Sequence, residues 1–279
     1  PRFTLVWTST ESGFTQGIAW GDYDGDGDLD LAVGTDFRER LYRNDGVDAS
    51  GAPRFTLVWT STESGFTQGI AWGDYDGDGD LDLAVESQHH PTRLYRNDNG
   101  ALTASAVWAS TEAGVTCSVA WGDYDGDGDL DLAVGYIFDP PRLYRNDHGT
   151  LTAGAIWSPL NGNGGNVAWG DYDGDGDPDL AAGPWLYRND GGTLTSHAVW
   201  TATDGSRGET AWADYDGDGD LDLAVGVRLY RNDGGALTTA AVWSWDGRTA
   251  AWGDYDGDGD LDLAVGRDAT DCTATTAAC

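Results

Sequence analysis

The chain is expected to fold as an all-β propeller of six visible four-stranded blades, and three observations lead there. The segment Asp-Tyr-Asp-Gly-Asp-Gly-Asp-x-Asp occurs six times, its copies lie 40 to 52 residues apart, and four short apolar segments recur in each interval. That period suits one propeller blade and is too long for a leucine-rich or hexapeptide coil. The copies begin at Asp22, Asp74, Asp123, Asp171, Asp214 and Asp254, and residues 1–33 return unchanged at 53–85, the mark of duplication.

In the first unit the four apolar segments are 17–21, 30–34, 40–44 and 55–59, each bounded by Gly, Asp or Asn as strands joined by turns are. Segment one alternates Ile18 and Trp20 with the small Ala19 and Gly21, as suits an innermost strand near a crowded axis. Segment two, Leu31-Ala32-Val33, has little polarity, as expected of a strand covered on both faces. The tryptophans at the position of Trp20, through Trp252, are expected in the core. Units fall near 18–59, 70–108, 119–157, 167–200, 210–243 and 250–266. The chain opens with a fourth-strand sequence, 3–7, so residues 1–8 are expected to complete the sixth blade. That blade lacks the Leu-Tyr-Arg-Asn-Asp found at Leu41, Leu94, Leu143, Leu186 and Leu229, so its third-strand slot is open to the Thr/Ala-rich tail, 267–279, or to a neighbouring molecule, and unfilled it would leave an exposed strand edge.

Charge excludes several function classes. The 279 residues carry 48 Asp+Glu against 15 Lys+Arg, a formal charge of −33. Nucleic acid and anionic membrane surfaces are poor partners for such a chain, and no apolar run is long enough to insert in a bilayer. With 39% hydrophobic residues and 14 Trp, the acidity does not imply disorder. There is no methionine, as in a processed form or a fragment. Three cysteines are too few for a disulfide scaffold; Cys272 and Cys279 can close a small loop, leaving Cys117 as an odd thiol.

The nine-residue segment reads as a calcium loop. Carboxylates at alternating positions of a tight loop converge on one point, and hard oxygen donors at that density suit Ca2+. The candidates are Asp22, Asp24, Asp26, Asp28 and Asp30; Asp74, Asp76, Asp78, Asp80 and Asp82; Asp123, Asp125, Asp127, Asp129 and Asp131; Asp171, Asp173, Asp175, Asp177 and Asp179; Asp214, Asp216, Asp218, Asp220 and Asp222; and Asp254, Asp256, Asp258, Asp260 and Asp262. In each loop the seventh position, Asp28 in the first, is expected to offer its carbonyl and the others their side chains. Gly25 and Gly27 permit the positive φ that the curl needs. An EF-hand requires a glutamate at position twelve, where Val33 and its counterparts stand. Magnesium is disfavoured because it retains several waters. About six bound Ca2+ are expected, coupled to folding of the loops.

At these residues the sequence resembles the FG-GAP/VCBS repeat family, the calcium-loop blades of integrin α-subunit propellers, fungal fucose-type lectins and many secreted bacterial proteins. The stretch from Ser118 through Ala120-Trp121-Gly122 and the loop 123–131 to Gly135 matches its core pattern closely. The resemblance covers nearly all but the last dozen residues. It implies a β-propeller with the calcium loop between strands one and two, ligated by loop positions one, three, five and nine. Six units are visible here where seven are usual.

Strand alternation puts the calcium loops and the Asn-Asp-x-Gly turns on one face and the sequence-variable loops on the other. Variable loops on a rigid scaffold are where recognition resides. Phe37, Phe138, Trp185 and Trp245, beside Arg38, Arg142, Arg207 and Arg248, are the candidates there for a glycan or protein ligand, set against a role in packing between blades. His89 and His90, adjacent in a loop, are expected to be simply exposed. No unit carries an unrepeated Ser/His/Asp or Cys/His grouping, so the chain is not expected to be an enzyme. The expected function is that of a secreted or cell-surface recognition or adhesion module, lectin-like, with structural calcium at the concentrations found outside cells. The alternative is a filament subunit whose copies join head to tail through the tail or an open blade edge.

Overall fold

The computed structural model describes residues 5–162, 164–247, 249–254, 257–259, 261–266 and 272–275. All regular structure among them is β, and no helix is long and apolar enough to cross a membrane. Blade one comprises β1 (Thr15–Gly21), β2 (Asp30–Thr35), β3 (Arg40–Val47) and β4 (Pro53–Thr60). Blade two comprises β5 (Phe66–Gly73), β6 (Asp82–Gln88), β7 (Pro91–Tyr95) and β8 (Trp108–Ala113). Blade three comprises β9 (Thr116–Gly122), β10 (Asp131–Tyr136) and β11 (Arg142–Tyr144), its fourth strand reduced to a bridge between Leu143 and Trp157. Blade four has β12 (Val167–Gly170), β13 (Asp179–Ala182), β14 (Trp185–Tyr187) and β15 (Trp200–Thr201). Blade five has β16 (Thr210–Ala213), β17 (Asp222–Val225), β18 (Arg228–Tyr230) and β19 (Trp243–Ser244). The sixth has β20 (Thr249–Gly253), β21 (Asp262–Gly266) and β22 (Cys272–Thr275).

Every blade is an antiparallel meander in one register, with strand-one tryptophan opposite strand-two leucine: Trp20 opposite Leu31, Trp121 opposite Leu132, Trp252 opposite Leu263. The cores lie between blades. Tyr75, Ala84 and Leu94 of blade two pack with Val119, Leu132, Val134 and Tyr144 of blade three. Burial of a large apolar side chain contributes roughly 1.5–3 kcal/mol, and both faces of an interior blade supply it.

Two tryptophans tie each of the first four blades to the next. The strand-one indole donates backward to a carbonyl of the preceding blade: Trp72 to Ala19, Trp121 to Ala71, Trp169 to Ala120 and Trp212 to Ala168, at 3.3, 3.4, 3.3 and 3.3 Å. It lies so close that a Cβ on Gly21, Gly73, Gly122 or Gly170 would stand 2.6–2.7 Å from its ring, which explains the glycine after Trp20, Trp72, Trp121 and Trp169. The strand-four tryptophan packs edge-on against the next blade's strand-three tyrosine, with centroids 5.1–5.3 Å apart from Trp59–Tyr95 to Trp200–Tyr230.

At the ends the pattern changes. Trp7 packs on Tyr42 at 5.3 Å and the Tyr42 hydroxyl donates to Glu11, reproducing Trp59–Tyr95 and the Tyr95 bond to Glu63. The opening segment thus sits where the fourth strand of a preceding blade would, but no pairing joins it to β22 among the described residues. The tail supplies the missing third strand of blade six, β22 pairing with β21 from Gly266↔Cys272 to Leu263↔Thr275. Trp20 departs from the expected core position. It is 51% exposed, because no described blade seats against that side of blade one. Cys279 lies outside the described residues, and Cys272 is described only in its backbone.

Glu86, at the end of β6, is fully buried and accepts from the Thr116 hydroxyl. Burial pushes its carboxyl up to about 8, against the opposing pull of backbone amides at Gly69 and Gln68. A carboxyl raised in the folded state contributes stability that is complete below its unfolded value near 4.5 and is lost as pH rises through 8. Urea midpoints of Glu86→Gln against wild type should therefore diverge in favour of the variant across that window, by on the order of 3 kcal/mol.

Candidate metal sites and binding face

The loops between strands one and two are built from their own carboxylates. In loop three Asp123 accepts from the amides of Gly126, Asp127 and Gly128, and Asp127 accepts from Asp129, closing a curl with φ of 73° at Gly126 and 93° at Gly128. The ninth-position aspartate is buried and anchors the loop, Asp131 taking the amides of Tyr124 and Asn146 at 3.1 and 2.7 Å. Burial pushes the carboxyls of Asp82, Asp131 and Asp179 up to about 7 and that of Asp222 to about 6.

Three carboxylates converge within 4.8 Å of one another in each of five loops: Asp22, Asp24 and Asp30; Asp74, Asp76 and Asp78; Asp123, Asp125 and Asp127; Asp171, Asp173 and Asp179; Asp214, Asp216 and Asp218. Positions one and three take part throughout, joined by five or nine. In all five the third-position Oδ1, from Asp24 to Asp216, is buried with no hydrogen-bond partner. A buried, partnerless carboxylate oxygen among other carboxylates is costly unless a cation meets it, so the donor set fits a hard divalent ion. The seventh position does other work. Asp80, Asp129, Asp177 and Asp220 accept from the turn amides of Asn99, His148, Gly191 and Gly234. Of the sixth loop, Asp256 and Asp260 lie outside the described residues, while Asp254 takes the amides of Gly257 and Gly259.

Each of the first four loops is also braced by the following blade, which the sequence reading missed. The asparagine of Leu-Tyr-Arg-Asn-Asp donates to the loop tyrosine carbonyl of the blade before it: Asn97 to Tyr23, Asn146 to Tyr75, Asn189 to Tyr124 and Asn232 to Tyr172, at 2.6–2.7 Å. The turn glycine then abuts the third-position aspartate, with Gly149 so near Asp76 that an added Cβ would stand 2.7 Å from its Cβ. The signal was present as a repeated Asn at constant offset, but only the fold reveals that its partner lies in another blade.

On the opposite face the strand-two-to-three loops gather exposed aromatics. Phe37 is 61% exposed with the Arg38 guanidinium 5.5 Å from its ring centroid. The Asp36 amide donates to Phe14 O and the Gly65 amide to Phe37 O, so the loop of Phe14, 74% exposed, and the start of β5 at Phe66 are laced to the loop of Phe37. Phe14 and Phe66 were not singled out from sequence. Phe138 is exposed on the corresponding loop of blade three, and Arg142 lies over the Tyr136 ring at 4.3 Å. Trp185 opens β14 and packs, partly buried, against the cluster of Tyr124, Leu143 and Leu180. Arg207 lines a cavity of about 220 Å3 with Cys117, Ile137, Asn166 and Pro184. Burial pushes the Cys117 thiol up to about 12, so it is not a reactive thiolate at neutral pH. Trp245 lies beside Trp243 at 5.7 Å; Arg248 is outside the described residues, and His89 and His90 are exposed.

The FG-GAP-like repeat profile matches residues 22–85, 86–134 and 133–182, more than half of the chain. The chain belongs to the FG-GAP-like repeat family. Among solved structures, this FG-GAP-like propeller resembles an Agrocybe aegerita lectin solved for specific recognition of non-reducing terminal N-acetylglucosamine, with TM-score 0.59, 19% identity, and coverage of 90% of this chain and 75% of the lectin. The V. cholerae biofilm matrix protein Bap1 gives TM-score 0.50 at 18% identity over 76% of this chain and 34% of Bap1. BBS1N, solved in complex with ARL6DN, gives 0.57 at 13% identity over 91% and 77%. At these identities the likeness is one of fold. Among curated proteins no sequence match is found.

Replacing Asn146 by Ala removes its side-chain bonds to Tyr75 O and Leu130 O and leaves buried carbonyls unpaired. Urea unfolding should register a loss of about 2 kcal/mol. Arg145→Ala beside it, on an exposed side chain, should cost less than about 0.5 kcal/mol.

Proposed function

We propose that the chain is an extracellular recognition or adhesion module without catalytic activity, in which calcium in the acidic loops stiffens one face and the other binds glycan. The observation that carries this reading is the placement of Phe14, Phe37 and Phe66, large and exposed, on two loops and a strand start laced together on the face opposite the carboxylates. Aromatic planes offer a sugar's C–H face an apolar platform, and Arg38 beside Phe37 supplies donors for hydroxyl oxygens. Family membership and the likeness in fold to a lectin and a biofilm matrix protein support a binding role over an enzymatic one. Extracellular placement follows from the proposed calcium, which such loops take up at the concentrations found outside cells.

Calcium is favoured because the donors are all oxygen and carboxylate-rich in a flexible glycine loop. Positions one, three, five and nine would hold the ion. Its charge would offset the mutual repulsion of the carboxylates, while this chain's own part is to hold the loop closed through Asp22-type amide bonds and the bracing asparagine.

The test is a glycan array in millimolar calcium followed by titration of any hit, with an N-acetylglucosamine-terminated oligosaccharide as the first probe. Phe37→Ala should weaken binding about tenfold or more with an unchanged unfolding midpoint. Unchanged affinity in Phe14→Ala, Phe37→Ala and Phe66→Ala would remove the aromatic face from the account.

A further inference from the structure

Each of the first five blades carries an arginine in its Leu-Tyr-Arg-Asn-Asp segment. In four of them, among the described residues, it forms an ion pair only with the aspartate two positions on. These pairs are Arg43–Asp45, Arg96–Asp98, Arg188–Asp190 and Arg231–Asp233, at 2.8, 2.8, 2.7 and 2.5 Å.

Arg145 of blade three departs from that pattern. It keeps the turn pair, to Asp147 at 2.9 Å, and also reaches into the acidic loop of its own blade. Its Nε stands 3.3 Å from Asp125 Oδ2, and a terminal nitrogen stands 3.6 Å from Asp127 Oδ2. Asp125 and Asp127 are two of the three carboxylates that converge in loop three. A guanidinium is permanently charged and planar, so one side chain can serve several carboxylates at once. The negative charge it offsets is withheld from a divalent ion, and its own positive charge opposes the ion's approach over a few ångströms. Asp125 Oδ1 nevertheless stays buried without a hydrogen-bond partner, so the arginine weakens the site without taking the ion's place.

We infer that Arg145 is an internal counter-cation of loop three that competes with calcium there, making this loop the weakest calcium site of the five described. When the ion enters, the guanidinium falls back on Asp147 alone, the arrangement of the other four blades. The inference rests on the proposed calcium reading and adds to it an order of filling set by one side chain.

Native mass spectrometry of the full chain across a series of buffered free calcium concentrations counts the ions bound at each step. Wild type should acquire one ion at a calcium concentration about threefold or more above that needed for the other described loops. Asp125→Asn should abolish that late step and spare the earlier ones, which assigns it to loop three. Arg145→Gln should move the step down by about threefold or more, into the range of the others. Arg96→Gln and Arg188→Gln remove the same charge from blades whose loops the arginine does not pair with, and should leave every step in place. All three arginine side chains are exposed, so folding is little at risk. An Arg145→Gln titration that superimposes on wild type, equal shifts in the two control variants, or loss of an early ion in Asp125→Asn overturns the inference and leaves calcium in the loops. A wild-type chain that binds no calcium overturns the calcium reading and this inference with it.

Discussion

Everything in this fold is arranged around a concentration of carboxylate that a protein alone cannot neutralise. Five aspartates in nine residues repel one another, and the third-position oxygen is withdrawn from water without a partner in all five described clusters. Amide bonds from within the loop hold the first and fifth positions, and the ninth is anchored on strand three. What remains unmet is the space between them. A cation there would convert the most destabilising feature of each blade into a fixed corner.

That corner belongs to two blades at once. The asparagine of one blade grips the loop tyrosine carbonyl of the blade before it, and the turn glycine after that asparagine sits on the loop's third aspartate. Together with the backward indole bond and the edge-on tryptophan, this gives each of the first four junctions ties at its metal edge, its inner strand and its outer strand. Such an array has the nearest-neighbour character of repeat proteins, in which the end units are atypical. Blade six departs from the pattern of the others: Ala213 stands for glycine where it meets blade five, and no Leu-Tyr-Arg-Asn-Asp follows β21.

The repeat made most of the architecture legible. Period, strand order, the innermost role of Ile18-Ala19-Trp20 and the acidic loop all follow from local pattern, because each is encoded within one unit. Contacts between units were less visible. The Asn146 partner is 71 residues away, and nothing in a linear motif says that the glycine after a tryptophan makes room for the tryptophan of the next copy. Trp20 shows the limit most clearly, since identical local sequence around Trp72 yields a half-buried indole while Trp20 is exposed; the difference is only in what stands beside the blade. The aromatic face was partly read: Phe37 and Arg38 from loop variability, Phe14 and Phe66 only once backbone bonds between loops brought them to the same place.

The most direct test of the metal-corner account is native mass spectrometry of the chain dialysed against calcium, paired with its unfolding midpoint before and after chelation. The account predicts five or six bound calcium ions and a large fall in the midpoint when they are removed. A metal-free mass after dialysis, with the same midpoint on both sides of chelation, would contradict it.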